Sequence, residues 1–458
     1  MTSVRYIPAI STDAGAVPIG TEVATHPRAG DGLEVQDVYA EQLVDGSQKT
    51  QIIGELPGIT GTVTTSRADD FYNDAFQRLR VSDTDQRFDG EFKYDKAPLL
   101  FDDISVTGTT TFNANTRDVT IATGSASAAV SAGLRQHWAN PYTPGNSQFI
   151  AITGVLNGAN LAGRAEVFLR TSVSGTVAEE IIPQSSWLTK TTGVNWQFSN
   201  IFLMDFQSLK VGRIRFGLDM GGLAYKVAEI VNDNEKANGY WQLADQPVYW
   251  RQYNTTSYTY TEIGYGDEAN AIGFRFRTDA PNSTQTMKAI CATVKSEGGG
   301  DIHDIAGIRS SGSNGTTKKT VSTTMIPVLS FQLKGTFNTY ANKGIVFPTG
   351  YEITTDNAIY YEIRVNPTLT GASFASVGND SILNVDTTAS AITGGRVIKT
   401  GYASSTGAKT QSSSNGILNK IPLAVSAVGV GDIIAICAIR NGTTNASVGT
   451  AMEFNEVR

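Results

Sequence analysis

Apolar and polar side chains alternate at period two over much of this 458-residue chain. Successive strand residues point to opposite faces, so the alternation predicts strands. Arg213-Ile214-Arg215-Phe216 sets two basic residues against two apolar ones. Ile272, Phe274 and Phe276 share a face opposite Arg275 and Arg277, and Val167 and Leu169 alternate with Glu166 and Arg170 around Phe168. Each pattern predicts one buried face and one wet face. Further along, Phe331 and Leu333 alternate with Gln332 and Lys334, and Ile359, Tyr361, Ile363 and Val365 with Tyr360, Glu362 and Arg364. Turn-forming pairs punctuate the runs, among them Asn140-Pro141, Pro144-Gly145, Asn157-Gly158, Gly221-Gly222 and Pro281-Asn282. The spacing predicts an all-β chain of antiparallel β-sandwiches, the first jelly-roll-like. Tyr225 to Ala237 fits a helix or a strand followed by a loop, and the second reading is preferred. No internal repeat of fixed period is found.

The pattern also divides the chain. Residues 1–68 carry few clustered large apolar side chains and many turn-formers, so they are expected to be an extended docking arm ordered against a neighbour, or else a disordered tail. Within the arm, Leu33 to Leu43 has weak helical periodicity. Residues 69–300 form the first sandwich domain. Gly298-Gly299-Gly300 and the Ser/Gly/Thr-rich stretch Ser310 to Thr317 predict a hinge over 301–319, and a second sandwich domain follows over 320–458. Ile421 to Ile439 is nearly long enough to cross a bilayer. Pro422, Gly429, Gly431 and Asp432 interrupt it, so two strands, Leu423 to Val428 and Ile433 to Ile439, are expected instead, with no membrane insertion.

Charged residues make up 17% of the chain and the net charge is -7. That sign opposes binding to phosphate backbones, so nucleic acid is not an expected partner. Cys291 and Cys437 lie in apolar runs and read as free thiols made in a reducing compartment. The opening MTSVRYIPAIST lacks the blocks of a secretory signal, so general export is not expected. There is no GxSxG elbow, phosphate loop, HExxH or CxxC. Gly264-Tyr265-Gly266 and Gly429-Val430-Gly431 lack the third glycine of a dinucleotide fingerprint and read as turns. Of three histidines, His26, His137 and His303, only His303 has hard ligands beside it, in Asp301-Ile302-His303-Asp304, and a solvated loop explains those letters better than a metal. No catalytic residue, metal or cofactor is expected. The pairs Glu179-Glu180 and Asp102-Asp103 cannot flank a glycosidic bond, since strand neighbours face opposite ways. An aromatic cluster remains: Tyr240, Trp241, Tyr249, Trp250 and Tyr253 are candidates for glycan or partner contact, with Tyr258, Tyr260 and Tyr265 close behind. Ordinary sheet packing is the competing explanation.

Several blocks in register resemble a family of tailed-bacteriophage virion structural proteins. They are Ala75-Phe76-Gln77-Arg78-Leu79-Arg80-Val81-Ser82, Ala97 to Asp103, Tyr142-Thr143-Pro144-Gly145-Asn146-Ser147, Trp187 in QSSWLTK, Val211 to Gly217, and Ile290 to Gly299. The likeness spans residues 70–300. Asn146 stands where the family's turn has Lys, and Ala224 to Ala228 stands where the family often has a histidine-rich strand, so no role of that histidine carries over. The resemblance implies a non-enzymatic β-structured virion component assembled in the host cytoplasm, expected to be a homotrimer joined to other virion proteins through the N-terminal arm. A tail-fibre or baseplate position is preferred to capsid decoration or a head fibre. A host-glycan-binding adhesin and a capsule-degrading enzyme are the alternatives.

Overall fold

The computed structural model describes residues 37–42, 48–53, 84–124, 130–156, 164–173, 175–189, 191, 194–207, 209–235, 239–241, 243–278, 285–297, 308–314, 316–404, 409–412 and 417–458. The described chain is all-β and its strand pairs are antiparallel, with helical turns confined to short 3-10 stretches such as Gln184–Ser186. No helix among these residues is long and apolar enough to cross a membrane.

Two sheets face each other over residues 84–297. One runs in spatial order Thr176–Pro183, Ala165–Val173, Ala271–Thr278, Thr259–Gly266, Val248–Asn254, Ser131–Gln136, Phe101–Asp103. The other runs Leu223–Ile230, Ile214–Met220, Ser199–Phe206, Gln148–Leu156, Thr286–Glu297, Asp118–Ala122, Thr109–Asn113, with Thr84–Glu91 also paired to Thr286–Glu297. Their inward rows meet in one core. Ile263, Phe274 and Trp250 come from the first sheet, and Ile150, Phe202 and Met204 from the second. Residues 308–457 repeat the plan on a smaller scale. Ile326–Leu333, Ile433–Arg440 and Ile359–Val365 sit at the centre of one sheet, and Ala446–Val457 with Ile345–Thr355 at the centre of the other. Phe331 and Phe454, one from each, meet edge to face at 4.5 Å.

The alternation predicted for Ile359 to Val365 is realised as alternating buried and half-buried positions. Other expectations are corrected. Asp37–Gln42 is a strand paired with Gln48–Ile53, not part of a helix: Val38 and Tyr39 favour the pleat, and pairing satisfies the backbone. The rest of the arm, the Ala75 to Ser82 block, His26, Gly298 to Gly300 and His303 with its aspartates lie outside the described residues. Ser310 to Thr317 is not free hinge throughout, since Ile308–Gly312 pairs with the last strand, Ala446–Val457, as does Lys319–Val321. Leu423 to Val428 makes only isolated bridges at Leu423 and Val425, because the chain turns back at once: Gly429 has φ +83° and Ser426 accepts its N–H. Gly264 and Gly266 end a strand rather than form a turn, and a side chain at Gly264 would run into the Ile272 carbonyl at 2.5 Å.

Candidate functional site

Strand alternation scatters the predicted aromatic cluster. Trp250 points inward, is 0% exposed, packs on Phe92 and Phe101, and donates its Nε1–H to the Thr153 carbonyl at 3.0 Å. Trp241 is buried against Phe206, with the buried Tyr240 beside it. One position before Trp250, Tyr249 faces the other way and is buried too. Four of the five candidates therefore offer no face to a sugar; Tyr253 alone is half-buried. Sequence proximity had suggested a platform, and the pleat divides it between two faces.

The outer face of the first sheet carries charge instead. Register sets Glu262 opposite Arg275, Arg275 opposite Glu166, and Arg170 opposite Glu179. Arg170 donates to Glu179 at 2.7 Å and to Glu262 at 2.6 Å, and Arg275 to Glu166 at 2.5 Å and Glu179 at 2.8 Å. Tyr249 and Tyr253 donate their hydroxyls to Glu262 at 3.3 and 2.9 Å. Burial alone would lower the Arg170 pKa, but the Glu262 carboxylate raises it above its ordinary range. Burial raises Glu179 in the same way, and Arg275 with Arg170 overcomes it and holds the group low. Arg170 and Arg275 are only 5% exposed, so these two members of the row expected to be wet belong to a buried ion-pair lattice, whereas Arg277 is exposed as expected.

Arg215, also expected to be wet, is 1% exposed and paired with the buried Asp205 directly across the ladder. Ser147 donates its hydroxyl to Asp205 at 2.7 Å, and the Ser147 carbonyl accepts the Glu297 N–H at 2.8 Å.

The residues that sequence reasoning missed lie at the seam between the two sandwiches. His137 follows strand Ser131–Gln136 and is pinned between two carboxylates, Nδ1 on Asp102 at 2.8 Å and Nε2 on Asp432 at 2.9 Å. Asp102 comes from the neighbouring strand Phe101–Asp103, whereas Asp432 belongs to the second sandwich. Burial alone would lower the His137 pKa, but the two carboxylate hydrogen bonds push it up to about 10. Asp102 reaches further, accepting the Ala427 N–H at 2.7 Å, and Arg135 donates to the Ala427 carbonyl at 2.9 Å. Asp432 also accepts from Asn366 at 2.8 Å and from the Ala424 N–H at 2.9 Å. Lys343 crosses back to Gln246 at 2.9 Å and pairs with Asp267. Beside this clamp opens a cavity of about 400 Å³ lined from both sandwiches. Chemically the clamp holds two bodies in register. Its only sequence signal is a histidine beside Trp138, which names neither partner.

No family model matches the sequence, and no curated protein matches it. Marginal similarities to solved structures exist. Lectin UEA-II complexed with galactose is 10% identical over 46% of this chain and 100% of that one, with a TM-score of 0.18. The VIP36 exoplasmic/lumenal domain is 9% identical over 46% and 89%, at 0.18. An alginate lyase Aly36B mutant is 9% identical over 40% and 82%, at 0.13.

Proposed function

We propose that this chain is a non-enzymatic structural component of a bacteriophage virion, a homotrimeric tail-fibre or baseplate-associated protein that works by contact. The supporting observation is where the blocks of resemblance fall. They contribute Asp102 to the clamp, and Ser147, Arg215 and Glu297 to the buried network around Asp205. These residues build a rigid frame, which is what a load-transmitting particle component needs. Electron cryomicroscopy of particles carrying a tagged copy is the test, and density at the tail in threefold sets is the expected result. Density on the head would transfer the assignment to capsid decoration or a head fibre, and absence from purified particles would overturn it.

Host-glycan binding is the second reading. Tyr253, Tyr258 and Tyr260 remain half-buried on the outer face, with Arg277 exposed over Tyr258 at 4.7 Å. A glycan-array signal lost in Tyr258→Ala, with the fold intact, would support it, and no signal from the intact protein would remove it.

A further inference from the structure

The cavity beside the clamp combines apolar and cationic side chains. Leu99 and Leu100 from the first sandwich and Ile421 from the second give it an apolar lining, and Trp138 adds a half-buried ring. Leu99 is 53% exposed, a large apolar side chain left in water at the mouth of a concave site. The volume of about 400 Å³ lies within the range of small-ligand sites.

Charge selects the class of ligand. Arg396 and Lys420 line the same cavity from the second sandwich, both exposed, and neither side chain has an ion-pair or hydrogen-bond partner among the described residues. The lining carboxylate, Asp432, is already occupied by His137, Asn366 and the Ala424 N–H. Two unspent cations therefore stand at an apolar hollow in a chain of net charge -7. The buried arginines Arg170, Arg215 and Arg275, by contrast, are each spent on carboxylates.

We propose that this inter-sandwich cavity binds a small amphipathic anion, with its apolar body against Leu99, Leu100, Trp138 and Ile421 and its acidic head between Arg396 and Lys420. A hollow bounded by two bodies suits a compact ligand better than a long peptide, which would need a continuous groove.

Isothermal titration of the full chain with decanoate, below its micellar concentration, tests the proposal against decylammonium, which has the same apolar body and the opposite charge. Decanoate is expected to bind saturably at one site per chain and at least about tenfold more tightly than decylammonium. In the double variant Arg396→Gln/Lys420→Gln, decanoate affinity falls at least about tenfold while the far-ultraviolet spectrum stays unchanged. Trp138→Phe abolishes the ligand-induced change in tryptophan fluorescence. Equal affinity for the two ions, no saturable decanoate binding, or an unchanged affinity in the double variant would overturn it. Because the two probes are compared on the wild-type protein, the test survives even a variant that fails to fold.

Discussion

His137 Nε2 lies 2.9 Å from the Asp432 carboxylate, 295 residues away in the chain, and this contact ties the second sandwich to the first through a charged ring. With the His137 pKa raised to about 10, the imidazolium persists at neutral pH. The clamp is thus an electrostatic bond made where water is largely excluded, and such bonds are costly to break from one side.

Replacing His137 by Ala should cost about 3 kcal/mol, because it leaves Asp102 and Asp432 facing each other with no cation between them. The pH dependence has a definite sign. A histidine raised from 6.5 to about 10 contributes stability that is complete below pH 6.5 and lost as pH rises through 10. Chemical denaturation between pH 6 and 10.5 should show wild-type stability converging on that of His137→Ala at the alkaline end. A constant gap across the range would refute the clamp.

At the buried pair, Asp205→Ala should destabilise by about 3–5 kcal/mol, since Arg215 is 1% exposed and would lose the carboxylate directly across the ladder. The double variant Asp205→Leu/Arg215→Met removes both charges and should recover most of that loss. A double-mutant cycle in urea measures the coupling, and additive losses would show that the two residues act independently.

The aromatic residues make opposite predictions by face. Trp250→Ala should cost about 3–5 kcal/mol, since it empties a core site packed by Phe92 and Phe101. Tyr258→Ala, half-buried on the outer face, should stay within about 1 kcal/mol. Thermal melts separate the two, and a mild Trp250→Ala would return that ring to the list of available surfaces.

Strands were legible because alternation is local. Ile272, Phe274 and Phe276 announce an inward row without any knowledge of the neighbours, and the structure buries all three. What faces the opposite row is not local. Arg215 and Arg277 look alike in sequence, yet Asp205 stands across the ladder from one and the other is exposed. Period two separates faces but does not say whether the polar face meets water or a partner charge. The seam was beyond reach for the same reason: Asp102 and His137 are 35 residues apart, and Asp432 is 295 from His137. The aromatics misled because nearness along a strand is alternation across the sheet, so Tyr249 and Trp250 end on opposite faces.

Asp245 offers a last test near the seam. Its Oδ1 accepts the Tyr142 N–H at 2.9 Å, and burial pushes its carboxyl up to about 6 despite that bond and the neighbouring Lys343. A carboxyl raised in this way favours the folded state while protonated, and that contribution disappears as pH climbs from 3.8 through 6. At pH 7 the folded chain holds an anion it would rather hold neutral. Asp245→Asn keeps an acceptor for Tyr142 and removes the charge, so it should stabilise the protein by about 1–2 kcal/mol at pH 7.5 and by almost nothing at pH 4. Melting temperatures of the two proteins at those pH values decide it. A loss of stability at pH 7.5 would mean that the attraction of Lys343 outweighs burial and that the charge is wanted.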